Sequence, residues 1–317
     1  MVITPHVLCV LLVLMPIKGH YLSGLAPVNY CKAGAESEKC KKEIPLYVNR
    51  LNSEESFIPF EYHHFDFCLS NDTQLPVENL GHVGFGEQIQ PSPYKINFLE
   101  NVSCQTVCTK SYKGSDTESK KKLNLLKNGM TLFYQHHWII DNMPTVWCYL
   151  VNEGSKSYCS TGFPMGCQIR MNFDTCTPIV NTSPSQVGTY FLFNHVDINI
   201  IYHSGGSEEW GVAFGDNGGR IISVKVKPAS INHQNPQKPD CSVRKLLKIP
   251  NYLATDETFN IVYTYNFGLK CGKKSFSPPP PPRPDPFWLS SGRRGLFLEV
   301  GGLSTPSSIF TDNTLHK

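Results

Sequence analysis

The twelve cysteines of this 317-residue chain constrain its fold more than any other feature. Cytosolic thiols stay reduced, whereas chains that enter the secretory pathway form disulfides. Cys9 and Cys271 lie in an N-terminal apolar segment and an atypical C-terminal region, and the rest form an even set that suits five bridges. The ten disulfide candidates are Cys31, Cys40, Cys68, Cys104, Cys108, Cys148, Cys159, Cys167, Cys176 and Cys241. The cysteines therefore predict a disulfide-bonded domain in an oxidising compartment.

Loop length separates these cysteines into two groups. Short loops favour three local pairs, Cys31–Cys40, Cys148–Cys159 and Cys167–Cys176. The remaining four are left for longer bridges, which stabilise most in the chain-entropy model: Cys68, Cys104, Cys108 and Cys241. Because sequence does not fix connectivity, the pairing of these four stays open.

The N-terminus carries a short apolar run, Val7–Met15, followed by Pro16 and small or polar residues. This pattern predicts a signal peptide over residues 1–19, and the run is too short to span a bilayer. The alternative is a buried N-terminal strand. Three sequons add support for a lumenal chain and make Asn71, Asn101 and Asn181 candidates for N-glycosylation.

Apolar residues alternate with polar ones over several short segments. The clearest is 196–202, and the same period of two recurs at 94–98, 222–226 and 259–265. One apolar face per strand is typical of an antiparallel sheet packed on a core. The glycine-rich stretch 215–219 predicts a hairpin between Trp210–Phe214 and Ile221–Val226. We assign the apolar face of the second strand to Ile222, Val224 and Val226.

One helix is predicted, from about residue 116 to 129. Ser115 and Glu118 have the spacing of a capping box, and Gly129 suits the end of the helix. The remaining segments read as short strands, which favours an all-β, β-sandwich-like fold.

Domain boundaries follow from a change of composition. A lumenal β domain is expected over residues 20–267, followed by a Pro-rich tail, 268–317, that we expect to be disordered. An SH3-type ligand is the alternative for the proline run, but such domains are cytosolic.

Three clusters invite a chemical interpretation. The segment His63-His64-Phe65-Asp66-Phe67-Cys68 contains metal-ligand types, but on a strand the two histidines would face opposite ways. His136 and His137 precede an Asp141-Asn142 turn, and a half-buried histidine among aromatics explains them more simply than acid–base chemistry. His195 and Asp197 share a strand face and could pair structurally.

No cluster predicts an enzyme. The chain has no G-x-S-x-G elbow, Walker A loop, H-E-x-x-H or dinucleotide fingerprint. We expect no catalytic, cofactor-binding or metal residues and no small-molecule substrate. A net charge of only +3, with 17% charged residues, argues against nucleic acid as a partner.

Several segments together resemble the lumenal N-terminal domain of the transmembrane 9 superfamily, the nonaspanins. The similarity covers about residues 21–267. It is carried by the YLSGLAPVNYC run ending at Cys31, by Pro59 to Cys68, by Pro91 to Lys95, by the YQHHWIIDNMP run ending at Pro144, and by Phe193 to Ile198.

The resemblance implies a Golgi and endosomal family with a large lumenal domain, nine spans and a role in localising other membrane proteins. Membrane-protein cargo, or the lumenal side of Golgi and endosomal proteins, would then be the partner. The similarity stops at a composition break, so we expect a chain truncated before the spans. The alternative functions are a secreted glycan- or lipid-binding β-sandwich that acts alone, and a hydrolase using His136, His137 and Asp141.

Overall fold

In the computed structural model, the described residues all belong to one unit, Met1–Lys273. They are residues 28–35, 40–72, 88–151, 156–170, 176, 186–205, 217–242 and 245–272. The predicted signal peptide, Asn181, the predicted strand Trp210–Phe214 and residues 273–317 of the predicted tail lie outside them. The tail is predicted to begin at residue 268, but the last strand continues to Cys271, so the predicted boundary at 267 falls inside a strand.

Strands dominate the described residues. In chain order they are β1 Tyr30–Cys31, β2 Glu43–Ile44, β3 Leu46–Val48, β4 Gln90–Pro91, β5 Ile96–Asn97, β6 Val102–Lys113, β7 Gln135–His136, β8 Trp138–Ile140, β9 Met143–Pro144, β10 Val146–Val151, β11 Lys156–Thr161, β12 Phe163–Pro164, β13 Gly166–Gln168, β14 Tyr190–Leu192, β15 His195–His203, β16 Gly218–Ala229, β17 Lys248–Ile249 and β18 Thr258–Cys271. Helix α1 spans Thr117–Thr131, and a 3₁₀ turn spans Tyr62–Phe65. The predicted all-β class is confirmed for the described residues, which contain one α-helix.

The largest sheet has the order β11-β10-β16-β15-β18-β6, with β1 added to β16. Most of its pairings are antiparallel, but β10 with β16 and β15 with β18 are parallel. The chain passes through β16 and β17 between β15 and β18, and such a long connection is what a parallel pairing needs. Smaller sheets, including β4-β3-β8-β9, complete the sandwich-like fold.

The predicted alternation in β15 is confirmed. Val196, Ile198 and Ile200 are buried, whereas Asn199 between them is exposed. The inner face of β15 and β18 joins the main hydrophobic core, which also contains side chains from β3, β5, β8 and α1. Tyr265 of β18 meets Tyr94 edge-on at 5.4 Å, which illustrates contact between the layers.

The apolar face assigned to β16 is wrong at one residue. Ile201 pairs with Ser223 and Tyr202 pairs with Ile221, so Ile222 is the extra residue of a β-bulge. A bulge shifts the alternation by one residue, and Ile222 is consequently 41% exposed while Ile221 is buried. The predicted hairpin that would lead into β16 cannot be compared, because its first strand is outside the described residues.

Helix α1 begins and ends differently from its prediction. Asp116, not Ser115, is the N-cap, and its carboxylate accepts hydrogen bonds from the backbone N–H groups of Glu118 and Ser119. Gly129 lies inside the helix, buried against Phe65 and Met165, because the absence of a side chain lets these residues approach.

Among the described residues, no helix is both long and apolar enough to cross a bilayer.

The Asp141-Asn142 turn between β8 and β9 is confirmed. Ile140 pairs with Met143, so the loop has two residues, and both have positive φ, 50° and 59°. This is the geometry of a type I′ hairpin turn, which Asp and Asn tolerate well.

All ten candidate cysteines are paired. The structure contains the three local pairs, and it also joins Cys68 to Cys108 and Cys104 to Cys241. The last bridge closes the longest loop, with a sequence separation of 137. It ties the loop 231–242 to the edge strand β6.

Candidate functional site: a polar pocket beside a disulfide

A row of polar side chains lies on the outer face of two neighbouring strands. His195 and Asp197 alternate with inward apolar residues on β15, and Thr264 and Asn266 do the same on β18. The parallel register places His195 opposite Thr264 and Asp197 opposite Asn266. Because period-two strands direct these four side chains to one face, they form a compact polar cluster.

The cluster is held by a chain of hydrogen bonds. His195 Nδ1 lies 2.8 Å from Thr264 Oγ1, and its Nε2 lies 3.2 Å from Asp197 Oδ1. Asn266 Nδ2 donates to the same carboxylate oxygen at 2.6 Å. The pairing of His195 with Asp197 expected from the sequence is therefore confirmed.

A β-bulge supplies the other partner of Asn266. The ladder between β18 and β6 is irregular where Tyr265 pairs with Gln105 and Phe267 with Val102, and Cys104 there has a φ of 50°. Its backbone N–H donates to Asn266 Oδ1 at 2.7 Å. Since Oδ1 must be the acceptor, the amide orientation is fixed and Nδ2 faces Asp197.

The charge on Asp197 is stabilised by its neighbours. Burial by itself raises the pKa of this carboxyl, but hydrogen bonds from His195 and Asn266, together with the charge of Lys227, outweigh burial and hold the pKa below its usual value. Asp197 is consequently an anion at neutral pH. It orients the imidazole from the Nε2 side.

The loop 231–242 covers this cluster. Buried Asn194 fixes the start of the loop: its Nδ2 donates to the carbonyls of Ile231 and Val262, and its Oδ1 accepts from the Ile231 N–H at 2.9 Å. The Cys104–Cys241 disulfide fixes the other end. Both ends of the loop are therefore tied to the main sheet.

A second histidine reaches the cluster from this loop. His233 Nε2 lies 3.2 Å from Thr264 Oγ1, and burial lowers the pKa of His233 despite the opposing effect of Asp240. Thr264 is completely buried, with two imidazoles against its hydroxyl. The hydroxyl is therefore a structural partner of both rings, and a substrate could reach it only if the covering loop moved.

An open pocket of about 670 Å³ adjoins the cluster. It is lined by Ser103, Cys104, Lys238, Pro239, Asp240, Cys241, Ser242 and Asn266. The lining combines polar and charged side chains of both signs with apolar surface, and one of its walls is a disulfide. Such a pocket suits a polar peptide segment better than an apolar small molecule, for which enclosed apolar walls are typical.

The other two histidine clusters, His136–His137 and His63–His64, have structural roles. His136 is buried deeper than expected, between Phe67 at 4.7 Å and Phe163 at 5.0 Å. Burial, with a smaller contribution from His137, lowers the pKa of His136 to about 3. Asp141 does not pair with His136; its Oδ1 accepts a hydrogen bond from the Val28 N–H at 3.4 Å.

The strand geometry that argues against a metal site at residues 63–68 is not formed, because this segment begins with a 3₁₀ turn. His63 and His64 belong to the 3₁₀ turn, and His64 stacks on Phe60 at 4.2 Å. Cys68 is bonded to Cys108. Across the described residues, no group of three His, Cys, Asp or Glu side chains is arranged to hold a metal ion.

Asp66 of the same segment has a different role. Its Oδ1 pairs with Lys110 of β6 at 3.3 Å and with Lys122 of α1 at 3.4 Å, and its Oδ2 accepts from the Tyr112 hydroxyl. It therefore links a strand, the helix and the 3₁₀ turn. Sequence reasoning considered Asp66 only as a ligand.

Two of the three sequon asparagines lie in the described part of the chain. Asn71 and Asn101 are both exposed, and Asn101 Oδ1 accepts from the Leu269 N–H at 3.1 Å. Their glycosylation stays a prediction.

The comparison with protein families gives one match. Residues 59–270 match the family described as endomembrane protein 70. This range contains every residue of the polar cluster and the pocket.

Curated relatives match over most of the chain. Transmembrane 9 superfamily member 2 of Pongo abelii is 45% identical over 259 residues, which is 81% of this chain and 37% of the relative. The Homo sapiens protein of the same name is 44% identical over 253 residues, covering 79% and 36%. Transmembrane 9 superfamily member 1 of Saccharomyces cerevisiae is 28% identical over 257 residues, covering 69% and 35%. The chain thus spans little more than a third of the length of these relatives.

Proposed function

We propose, from the premise that this chain belongs to the endomembrane protein 70 family of transmembrane 9 superfamily proteins, that it is a lumenal recognition domain for the sorting of membrane proteins in the Golgi–endosome system. One observation carries the proposal: the region that matches the family belongs to a domain in which ten cysteines form five disulfide bridges. Such a domain needs an oxidising lumen to fold.

The pocket is the proposed contact surface for cargo. Lys238 and Asp240 place opposite charges at its rim, and Ser103 and Ser242 add hydroxyl groups. Both ends of the loop that carries the rim are anchored, so a partner would not have to order the loop on binding. These features favour the polar lumenal segment of a membrane protein as the ligand.

We also propose that recognition proceeds without catalysis. His195 and Asp197 have the arrangement of an acid–base pair, but both ring nitrogens already have partners inside the fold. The adjacent hydroxyl of Thr264 is fully buried. A structural role for the pair follows from these contacts.

Site-specific photocrosslinking tests the proposed contact surface. The full 317-residue chain would be expressed in cells with a photoreactive amino acid at Lys238, which is exposed at the pocket rim. A matched control carries it at Tyr252, which is 74% exposed and outside the pocket lining. We expect position 238, but not 252, to crosslink to lumenal segments of membrane proteins.

The same experiment distinguishes the alternative function. A glycan- or lipid-binding domain that acts alone would leave the cell intact and give no protein crosslinks from position 238. Equal crosslinking from both positions would reject the pocket as the recognition surface.

A further inference from the structure

The Cys104–Cys241 disulfide is placed differently from the other four. Both of its cysteines line the open pocket, and both are half-buried. By contrast, Cys68 and Cys167 are buried in the two hydrophobic cores, at 3% and 1% exposure, and Cys148–Cys159, although Cys159 is exposed, is not part of the pocket lining. A molecule in the pocket can therefore contact the Cys104–Cys241 bridge.

The two sulfurs of this bridge have unequal surroundings. Cys241 Sγ lies 3.6 Å from His195 Nδ1 and 3.7 Å from Thr264 Oγ1. Cys104 Sγ instead lies 3.6 Å from the Pro239 carbonyl oxygen. A thiolate at position 241 could accept a hydrogen bond from the Thr264 hydroxyl, whereas a thiolate at position 104 would face a carbonyl lone pair.

We propose that Cys104–Cys241 is an exchangeable disulfide, in which a thiolate entering the pocket attacks Cys104 Sγ and releases Cys241. Exchange rates rise with the stability of the leaving thiolate. The Thr264 hydroxyl beside Cys241 makes Cys241 the leaving sulfur, which directs the attack to Cys104. This reactivity goes beyond the recognition role proposed above and does not depend on it.

The exchange balances without an external oxidant. A new S–S bond forms between the incoming sulfur and Cys104 as the Cys104–Cys241 bond breaks. The incoming sulfur is oxidised, and Cys241 is reduced and leaves with the electron pair. The proton that the incoming thiol loses to solvent on ionisation compensates the proton that Cys241 later takes up from solvent. The co-reactant is a thiol, either a small one or a cysteine of a lumenal protein.

The groups around the leaving sulfur come from three elements. Asp197 and His195 belong to β15, Thr264 belongs to β18, and His233 and Asp240 belong to the covering loop. Asp197 contacts the far nitrogen of His195 and fixes the orientation of the ring beside Cys241. Release of Cys241 would also free one end of the loop 231–242 from β6, while the partner stays covalently bound at Cys104.

Reduced glutathione is the probe for this exchange. The oxidised full chain would be incubated with it for graded times, quenched with acid, alkylated with N-ethylmaleimide and mapped by mass spectrometry. We expect the mixed disulfide on Cys104 and the alkyl group on Cys241. Thr264→Val should slow this reaction about tenfold, the loss expected for one hydrogen bond to a charged group, whereas Thr264→Ser keeps the hydroxyl and the rate.

Exchange at Cys148–Cys159 is the internal control and should be equal in all three proteins. Glutathione on Cys241 instead of Cys104 overturns the proposal, as does the absence of any adduct while Cys148–Cys159 exchanges. Equal rates for the Val and Ser variants also overturn it. The position of the adduct in the unsubstituted chain decides the direction of attack even if Thr264→Val does not fold.

Discussion

His136 shows how one buried titratable residue contributes to the pH response of this domain. The imidazole lies among four aromatic side chains, and its Nδ1 is buried without a hydrogen-bond partner. Burial therefore favours the neutral ring and lowers its pKa to about 3. Since the unfolded chain binds a proton near pH 6.5, the stability contributed by neutral His136 is present above that pH and is lost as the pH falls toward 3.

The variant His136→Leu should remove this pH dependence. In the unsubstituted protein the free energy of unfolding should fall by up to about 1.4 kcal/mol per pH unit below pH 6 because of this group. Urea unfolding at pH 7 and pH 5 measures the difference. The exposed His63→Ala variant is the control and should keep the slope of the unsubstituted protein. Equal slopes in both variants would contradict this assignment.

Helix α1 begins at the N-cap Asp116, one residue after Ser115, which the sequence pattern predicted as the cap. Both Ser115 and Asp116 can cap a helix, and the capping-box spacing to Glu118 favoured Ser115. The structure uses Asp116, whose two carboxylate oxygens reach two backbone N–H groups at 3.1 and 3.0 Å. A carboxylate there also interacts favourably with the helix dipole.

Asp116→Ala should therefore cost about 1 kcal/mol of stability, the usual value for a lost N-cap. Thermal or urea unfolding measures the cost. Ser115→Ala is the matched control and should change stability by less than half as much. If the Ser115 variant were the more destabilised, the assignment of the cap would be wrong.

Gly129→Ala should destabilise the domain although alanine is the better helix former. A Cβ at this position would lie 2.6 Å from the Phe65 ring and 2.7 Å from Met165 Sδ. We expect a loss of about 1–3 kcal/mol, typical of overpacking. Asn124→Ala on the exposed face of the same helix should be neutral or stabilising. A stabilising Gly129→Ala would contradict the close packing described here.

Local patterns predicted elements well, and long-range pairing accounts for what they missed. The alternation of β15 and the Asp141-Asn142 turn depend on neighbouring residues and are readable from them. The bulges at Ile222 and Cys104 depend on which residues a distant strand presents, so no local pattern marks them. For the same reason, Thr264 and Asn266 were not recognised as partners of His195 and Asp197.

The described residues combine a sandwich-like core with a pocket on the outer face of the main sheet. Cysteine count and short loops sufficed to predict an oxidised domain and three of its bridges. The pocket was not predictable, because it requires the Cys104–Cys241 bridge to bring together segments separated by 137 residues. Its position within the family match makes it the feature on which the proposed recognition role depends.

We propose that this domain folds in the oxidising lumen of the secretory pathway, and one mass measurement tests this proposal most directly. The full chain would be expressed in cells, with and without a Thr73→Ala, Ser103→Ala and Ser183→Ala triple substitution that removes the three sequons but keeps each asparagine. Retaining Asn101 preserves its bond to the Leu269 N–H.

Intact mass before and after glycan removal, followed by non-reducing peptide mapping, provides the readout. We predict a glycan mass on the unsubstituted chain and none on the triple variant, with Cys68 linked to Cys108 and Cys104 linked to Cys241. An unglycosylated chain whose cysteines are reduced would contradict the account.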